Sequence, residues 1–315
     1  MAFLTSPVAV HVPATSGNLG PGFDSLAVAL SLFDRITARV GGDGVRVSVS
    51  GEGADELPTD ERHLIAATML QTFDLLGGRP DGLELRCENA IPQARGMGSS
   101  SAAIVAGVLL ARQLVEGGTE LLDEPAVIRL AAKIEGHPEQ VASCVLGGFV
   151  IAWSREVIPG HGDARAVRLE DATGVVPVIF VPVQRGYTTH ARAVLPTTVP
   201  LTDAALNAAR TALLVRALTG APNLLFDATE DRLHQEYRAA GMPDTAKLVA
   251  ALRANGIAAV VSGSGPSVLA LVPDNQRLVA DAQDQCPDGW WANSLTVADG
   301  ARVVSPSAAA GSAVD

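Results

Sequence analysis

The chain contains very little lysine: Lys133 and Lys247 are the only two among its 315 residues. Its 23 lysine and arginine residues face 34 aspartate and glutamate residues, which gives a formal charge of −11. A chain this acidic lacks the basic surface of a nucleic-acid-binding protein, so we expect no nucleic-acid partner. Neither lysine follows a Gly-x4-Gly loop, and no His-Arg-Asp sequence is present. These absences exclude the phosphate-loop nucleotide-binding proteins and the protein kinases.

Cysteines and long apolar runs are also scarce. Cys87, Cys144 and Cys286 are far apart and show no Cys/His metal-binding spacing, which favours a reducing compartment. The apolar run 102–111 ends at Arg112, well short of the roughly 20 residues that a spanning helix needs. No basic segment precedes the first apolar residues, as a secretory signal would require. We therefore expect a cytoplasmic protein with no membrane association.

Hydrophobic residues make up 48% of the chain and charged residues 18%, a composition typical of folded proteins with a large core. Strand and helix patterns alternate throughout, which predicts an α+β fold with mixed or antiparallel sheets backed by helices. The length corresponds to two domains, and a glycine-containing loop near residue 159 offers a boundary. The predicted division is an N-terminal domain at 1–158, a C-terminal domain at 159–304 and a flexible tail at 305–315.

Glycines separate several of the predicted elements. Residues 36–40 and 45–50 have strand patterns and flank a Gly-Gly-Asp-Gly turn, which predicts a β-hairpin. Residues 100–115 have apolar side chains at helical spacing and are followed by two glycines, which predicts a helix.

Three glycine-rich segments stand out, at 13–24, 91–103 and 262–267. In the second, Gly96 and Gly98 allow a sharp turn and a close approach of the backbone to a ligand. Three serines follow and begin the predicted helix, whose free N–H groups form an anion site that suits phosphate. The alternative is an ordinary loop with a serine N-cap, but three consecutive serines favour phosphate. The third segment could equally be a simple turn between strands.

In this order and spacing, the three segments resemble the motifs of the GHMP kinases, a family of small-molecule kinases. The family's second motif, Pro-x3-Gly-Leu-Gly-Ser-Ser-x-Ala, is similar to residues 92–103, with Met97 in place of leucine. The first segment resembles the homoserine-phosphorylating branch, whose signature is Pro-Ala-Thr-Ser-Ala-Asn-Leu-Gly-Pro-Gly-Phe-Asp; only Gly17 differs. The resemblance covers essentially residues 7–300, and further matches lie at 135–138, 146–149, 191–196 and 231–238.

The resemblance implies a two-domain fold, with an N-terminal domain like the second domain of ribosomal protein S5 and a ferredoxin-like C-terminal domain. It implies transfer of the γ-phosphate of ATP, with Mg²⁺, to the side-chain hydroxyl of L-homoserine. The product would be O-phospho-L-homoserine, the precursor of threonine. Relatives are often dimers, so a homodimer is expected.

The resemblance also assigns the nucleotide and metal sites. Ser100 and Glu135 are expected to hold Mg²⁺, because a hydroxyl and a carboxylate suit this hard cation; the alternative for Glu135 is a solvated helix end. The residues expected to bind ATP are Pro92, Gln93, Ala94, Arg95, Gly96, Met97, Gly98, Ser99, Ser100, Ser101 and Ala102.

The expected substrate site draws on several segments. Asn18 and Asp24 can hold the ammonium group of an amino acid, with turn chemistry as their alternative role. Arg192 and Arg238 match substrate-binding arginines of the family, and a guanidinium can bind a carboxylate bidentately; a surface salt bridge is the alternative. Thr188 lies where the family has a threonine near the reaction centre.

One segment departs from the family pattern. The family carries His-x-Asp-Asn, where this chain has His137, Glu139 and Gln140, so both acidic and amide positions gain a methylene. The resemblance implies that this segment binds substrate, and it places Glu139 where an aspartate is the proposed base in mevalonate kinase. Misplacement by about 1 Å can cost about 100-fold in rate. Two alternatives therefore stay open: a GHMP kinase for another small amino alcohol or alcohol, and a non-catalytic regulatory relative.

Overall fold

A computed structural model describes residues 2–154, 163–169, 174–186 and 188–306. Within this part the chain forms strands β1 (Val8–Gly17), β2 (Leu26–Val40), β3 (Gly44–Gly51), β4 (Gly82–Asn89), β5 (Phe149–Ser154), β6 (Ala164–Arg168), β7 (Val175–Pro182), β8 (Ala258–Val261), β9 (Val268–Pro273), β10 (Trp290–Ser294) and β11 (Arg302–Val304). The α-helices are α1 (Leu64–Leu76), α2 (Ser99–Leu114), α3 (Gly118–Leu121), α4 (Glu124–Glu135), α5 (Glu139–Leu146), α6 (Thr188–Ala193), α7 (Leu201–Leu218), α8 (Leu225–Ala228), α9 (Gln235–Arg238), α10 (Pro243–Ala254) and α11 (Gln276–Gln283).

The larger sheet has the order β11-β1-β2-β4-β3, with β5 paired to β2 and β6 paired to β5. The predicted hairpin of β2 and β3 is wrong, because β4 lies between these strands, antiparallel to β2 and parallel to β3. The glycine turn wraps around the start of β4 and binds its backbone, with Gly41 N donating to Gly82 O at 3.0 Å. A side chain at Gly82 would overlap the turn. The lack of a Cβ atom there therefore allows the insertion.

Helix α2 forms the centre of the layer that covers the larger sheet. Its inward side chains are fully buried and include Val105, Val108 and Leu110. Gly107 lets α1 approach closely, because a Cβ atom at this position would lie 2.7 Å from the Cβ of Thr68. The helix expected over 100–115 is confirmed. Its packing against the sheet fixes the position of its N-terminus, where the second glycine-rich segment ends.

The smaller sheet is antiparallel, with the order β10-β7-β9-β8. Phe180 and Val268 of this sheet pack with Leu248 and Leu252 of α10 in a core of their own. One mixed and one antiparallel sheet, both backed by helices, confirm the predicted α+β class.

The larger sheet also takes strands from beyond the predicted domain boundary. β6 pairs with β5, and β11 pairs with β1, although the sequence placed both in the C-terminal domain. The predicted boundary at residues 158 and 159 and residues 307–315 of the predicted tail lie outside the described residues. The division into domains stays a prediction. In the described part of the chain, no helix is long and apolar enough to cross a membrane.

Candidate active site

The three glycine-rich segments meet at one place between the two sheets. The end of β1 lies in the middle: Thr15 N donates to Met97 O at 3.0 Å, and Gly263 N donates to Gly17 O at 3.1 Å. The first segment thus contacts the second on one side and the third on the other. Residues that are far apart in sequence form one continuous site.

The second segment forms a loop from β4 to α2 that requires glycine twice. Gly96 and Gly98 have φ angles of 73° and 70°, in the left-handed region that favours glycine. A side chain at Gly96 would overlap Ser262 O, and one at Gly98 would overlap Thr15 Oγ1. The loop is therefore packed so tightly against the other two segments that only glycine fits.

The start of α2 has free donors. Gly98 is the N-cap and supplies no side-chain hydrogen bond, so the alternative of a serine N-cap is not what the structure shows. The first helical bond runs from Ala102 N to Gly98 O at 2.9 Å. The N–H groups of residues 99–101 consequently have no acceptor within the helix. Such a helix start fits a phosphate group.

Other side chains of the loop hold it in place. Arg95 donates to the carbonyl oxygens of Gln93, Pro182 and Val183 at 2.8–3.0 Å, which joins the loop to the end of β7. Met97 is 1% exposed and packs in the core. The arginine and methionine side chains thus serve the loop's shape. Nucleotide binding by residues 92–102 stays a prediction that rests on backbone groups and serine hydroxyls.

Asp34 of β2 supports the start of the same loop, and sequence reasoning missed it. Its Oδ1 accepts hydrogen bonds from Ala90 N at 2.7 Å and Ile91 N at 2.8 Å. Burial raises the pKa of Asp34 to about 6, although the two backbone donors act in the opposite direction. A single acidic residue in a strand carries no motif, so nothing in the sequence marks this role.

Glu135 receives hydrogen bonds from two of the serines. Ser100 Oγ donates to Glu135 Oε2 and Ser101 Oγ donates to Glu135 Oε1, each at 2.8 Å. The carboxylate at the end of α4 is therefore fixed beside the start of α2 rather than free in solvent. In the described part of the chain, no group of three His, Cys, Asp or Glu side chains could hold a metal. One carboxylate and one or two hydroxyls instead fit Mg²⁺ that is also bound by phosphate oxygens and water.

Asp24 and Arg192 form a bidentate ion pair on the other side of the site. The distances are 2.6 Å from Nη2 to Oδ1 and 3.1 Å from Nη1 to Oδ2. Arg192 belongs to α6 and Asp24 to the first glycine-rich segment, 168 residues earlier. The structure thus brings together two residues that the sequence assigned to opposite ends of one amino acid.

Arg238 is buried, at 3% exposure. Its Nε donates to Ala191 O at 3.1 Å, and its Nη1 lies 3.0 Å from His234 Nδ1. Burial lowers the pKa of Arg238 to about 10, and the nearby charge of Arg192 acts in the same direction. The alternative of a surface salt bridge does not hold for Arg238.

Phe23 lies close to both arginines and was missed by sequence reasoning. The guanidinium carbons of Arg192 and Arg238 lie 5.7 Å and 5.6 Å from the centre of its ring, and His234 stacks on it at 5.2 Å. Cations are attracted to the face of an aromatic ring. Phe23 therefore holds two like charges close together. In the sequence, its position inside the first glycine-rich segment could have marked it as a site residue.

Asn18 takes a structural role here. Its Nδ2 donates to Gly263 O at 2.8 Å, and its Oδ1 accepts from Asp24 N at 2.9 Å. Both ends of the amide are therefore used to shape the turn and to join the first and third segments, which agrees with the turn-chemistry alternative. A contact of Asn18 with substrate stays a prediction.

Glu139 is buried at 2% exposure beside His137, with 3.5 Å between His137 Nδ1 and Glu139 Oε1. Its Oε2 is buried and has no hydrogen-bond partner in the described part of the chain. Burial raises the pKa of Glu139 to about 7, while His137 counteracts and the nearby charge of Asp24 adds to the shift. A buried carboxylate oxygen without a hydrogen-bond partner is uncommon in folded proteins and marks Glu139 as a candidate functional group.

Gln140 and Thr188 complete the predicted set. Gln140 Oε1 accepts a hydrogen bond from Thr15 Oγ1 at 3.1 Å, next to Gly98 of the loop. Thr188 begins α6, and its Oγ1 lies 3.1 Å from Ser264 Oγ of the third segment. The predicted residues therefore lie around one site, with the serines and Glu135 on the loop side and the arginines on the other.

Comparison with known proteins shows the family to which the chain belongs. The family model for the GHMP kinases N terminal domain matches residues 63–148, and that for the GHMP kinases C terminal domain matches residues 209–288. The chain belongs to the GHMP kinases. Its fold is accordingly the two-domain GHMP kinase fold, and ATP is the phosphate donor that the family implies.

Similar GHMP kinases include curated relatives and a solved structure. Homoserine kinase of Streptomyces avermitilis is 52% identical over 304 residues, covering 96% of this chain and 97% of the relative. Homoserine kinase of Streptomyces coelicolor is 50% identical, with 98% of each chain covered. The crystal structure of homoserine kinase from Cytophaga hutchinsonii is 25% identical, with a TM-score of 0.82 over 96% of this chain and 99% of that one.

Proposed function

We propose that this GHMP kinase is a homoserine kinase, which transfers the γ-phosphate of ATP to the side-chain hydroxyl of L-homoserine. The observation that carries the proposal is the set of opposite charges around Phe23, with Asp24 facing Arg192 and Arg238 nearby. An amino acid is a zwitterion, and once it separates the Asp24–Arg192 pair this set would offer a carboxylate to its ammonium group and guanidinium groups to its carboxylate. The full-length similarity to homoserine kinases supports the same substrate.

The loop side of the site fits the triphosphate. N–H groups of residues 99–101 and the serine hydroxyls would bind phosphate oxygens, and Ser100 and Glu135 would hold Mg²⁺. The cation supplies charge neutralisation to the phosphates. Phosphoryl transfer through a loose transition state depends mainly on positioning and charge stabilisation. A backbone-built phosphate site explains how a chain with two lysines can handle ATP.

In the reaction, the homoserine hydroxyl oxygen forms a bond to the γ-phosphorus, and the bond from that phosphorus to the β–γ bridging oxygen breaks. ADP leaves with that oxygen, and the hydroxyl proton passes to Glu139 Oε2. The raised pKa and the unpartnered Oε2 of Glu139 support this role. Thr188, which lies beside Ser264, would contact the transferred phosphate.

The test is a coupled assay of ADP release over L-homoserine, L-serine, L-threonine and mevalonate, with and without Mg²⁺. We expect turnover with L-homoserine that requires Mg²⁺. Turnover confined to another alcohol would overturn the choice of substrate, and binding of ATP without turnover of any alcohol would favour a regulatory relative. The expected homodimer stays a prediction that sedimentation equilibrium would test.

A further inference from the structure

Gly17, at the end of β1, has no side chain although its backbone does not demand glycine. It is extended, pairs with Ala27 of β2, and is not among the glycines with left-handed φ angles. Glycine is needed at this position because the neighbouring side chains leave too little room for a Cβ atom. A Cβ atom at this position would lie 2.9 Å from Gln140 Cγ and 3.1 Å from Glu139 Oε1. The first distance is shorter than real Cβ atoms tolerate, so a methyl group here must displace its neighbours.

Gln140 cannot easily move away from position 17. Its amide oxygen accepts the hydrogen bond from Thr15 and lies 2.9 Å from where a Cβ atom of Gly98 would be. Its amide nitrogen lies 3.3 Å from the corresponding point at Gly263. Gln140 is half-buried, and the end of its side chain is therefore in contact with all three glycine-rich segments.

Glu139 is enclosed as well. It is 2% exposed, and its Oε1 lies 3.5 Å from His137 Nδ1. A methyl group at position 17 would push against this oxygen and against the stem of Gln140 at the same time. In a closely packed interior such a push is passed on to the side chains behind.

Two of the departures from the family signature, at position 17 and at positions 139 and 140, therefore meet in space. The signature has alanine at position 17 and Asp-Asn at positions 139 and 140, whereas this chain has one methyl group fewer and two methylenes more. The space that is vacated at position 17 is the space beside Gln140 Cγ and Glu139 Oε1. The methyl group that is missing at position 17 thus leaves room for the methylenes that positions 139 and 140 gain.

We propose that Gly17 is a positioning residue: it admits the longer Glu139 and Gln140, and the three residues together fix where the Glu139 carboxylate lies in the active site. The residue acts through its neighbours and does not itself touch substrate. It follows that a chain with only one of the two departures has a disturbed site. A chain with both departures, or with neither, has a well-packed site. The activity measured below rests on the proposed homoserine kinase function.

The experiment compares four proteins: the natural chain, Gly17→Ala, the double variant Glu139→Asp with Gln140→Asn, and the triple variant. Because displacement by about 1 Å can cost about 100-fold in rate, we expect Gly17→Ala to lower kcat/KM for L-homoserine by about tenfold or more. We expect the triple variant to recover to within about threefold of the natural chain, since contacting residues are not additive. The Tm values should show the same rescue.

Gly241→Ala controls for the added methyl group, because a Cβ atom there meets nothing within 4 Å and the φ angle is ordinary. Its Tm should match that of the natural chain. A triple variant no better than Gly17→Ala in both Tm and kcat/KM would overturn the proposal. If the natural chain does not phosphorylate L-homoserine, the proposed function fails, while the set of Tm values still decides whether the three positions are coupled.

Discussion

Asp34 gives the sharpest quantitative prediction, because its buried carboxyl holds the start of the loop between β4 and α2 through Ala90 N and Ile91 N. The perturbation is Asp34→Asn. The amide oxygen of asparagine can accept the same two hydrogen bonds, so the loop keeps its anchor. What the variant removes is the ionisation of a group that is 8% exposed.

The direction in which stability changes with pH follows from the direction of the pKa shift of Asp34. Burial raises the pKa of Asp34 from 3.8 in the unfolded chain to about 6 in the folded protein. The folded state therefore binds the proton more tightly than the unfolded state does, and this difference adds to the free energy of unfolding. The stabilisation is fully present below pH 3.8 and is lost as the pH rises through about 6. At about 1.4 kcal/mol per pH unit, the whole contribution is about 3 kcal/mol, and roughly half of it disappears between about pH 5 and about pH 8.

Urea unfolding at about pH 5 and about pH 8 measures this contribution. The free energy of unfolding of the natural chain relative to Asp34→Asn should fall by about 1.5 kcal/mol across the interval. Asp74→Asn is the matched control, because the Arg79 guanidinium holds the pKa of the exposed Asp74 below its usual range and the group stays ionised throughout. A difference between the natural chain and Asp34→Asn that does not change with pH would refute the reasoning.

Three further predictions concern the chemistry of the site. Glu135→Gln should raise the Mg²⁺ concentration for half-maximal activity by about tenfold or more, since a charged oxygen ligand is lost; an unchanged Mg²⁺ titration would contradict the metal assignment. Arg192→Lys loses the bidentate geometry toward a carboxylate and should raise KM for L-homoserine by about 10- to 100-fold with little change in KM for ATP; equal rises in both would show a general disruption. Because burial raises the pKa of Glu139 to about 7, kcat of the natural chain should fall as the pH drops below neutrality. Glu139→Gln should show a flat profile at a kcat lower by about 100-fold or more, and a retained acid limb would point to another base.

Helices of this molecule can be predicted from local patterns in the sequence, because residues that are close together in the chain determine where a helix begins and ends. The start of α2 follows from serines after two glycines, and the loop that precedes it follows from the same few residues. The order of strands is different, since it depends on which backbone can fit against a turn. The absent Cβ of Gly82 decides the place of β4, and no pattern within β2 or β3 carries that information.

The candidate site also contains both residues that motifs mark in the sequence and residues whose roles depend on the fold. Asp24, Arg192 and Glu135 are recognisable by residue type within motifs, and the structure places Asp24 against Arg192 and Glu135 against Ser100. The role of Asp34 is set by burial beside a distant loop, which a single sequence does not reveal. The reason for Gly17 could not be read from the sequence either, because its contact with Gln140 spans 123 positions of the chain and exists only after folding.

The pairing of β11 with β1 has a consequence for biosynthesis. Residues 302–304 form an edge strand next to a strand that is made almost three hundred residues earlier. While the ribosome is still translating the smaller sheet, the backbone of β1 that will pair with β11 lacks its partner, and an unpaired edge invites pairing with other chains. The larger sheet can therefore be completed only after the smaller sheet has been synthesised. A nascent chain halted before residue 302 would present an open edge to other chains and to chaperones.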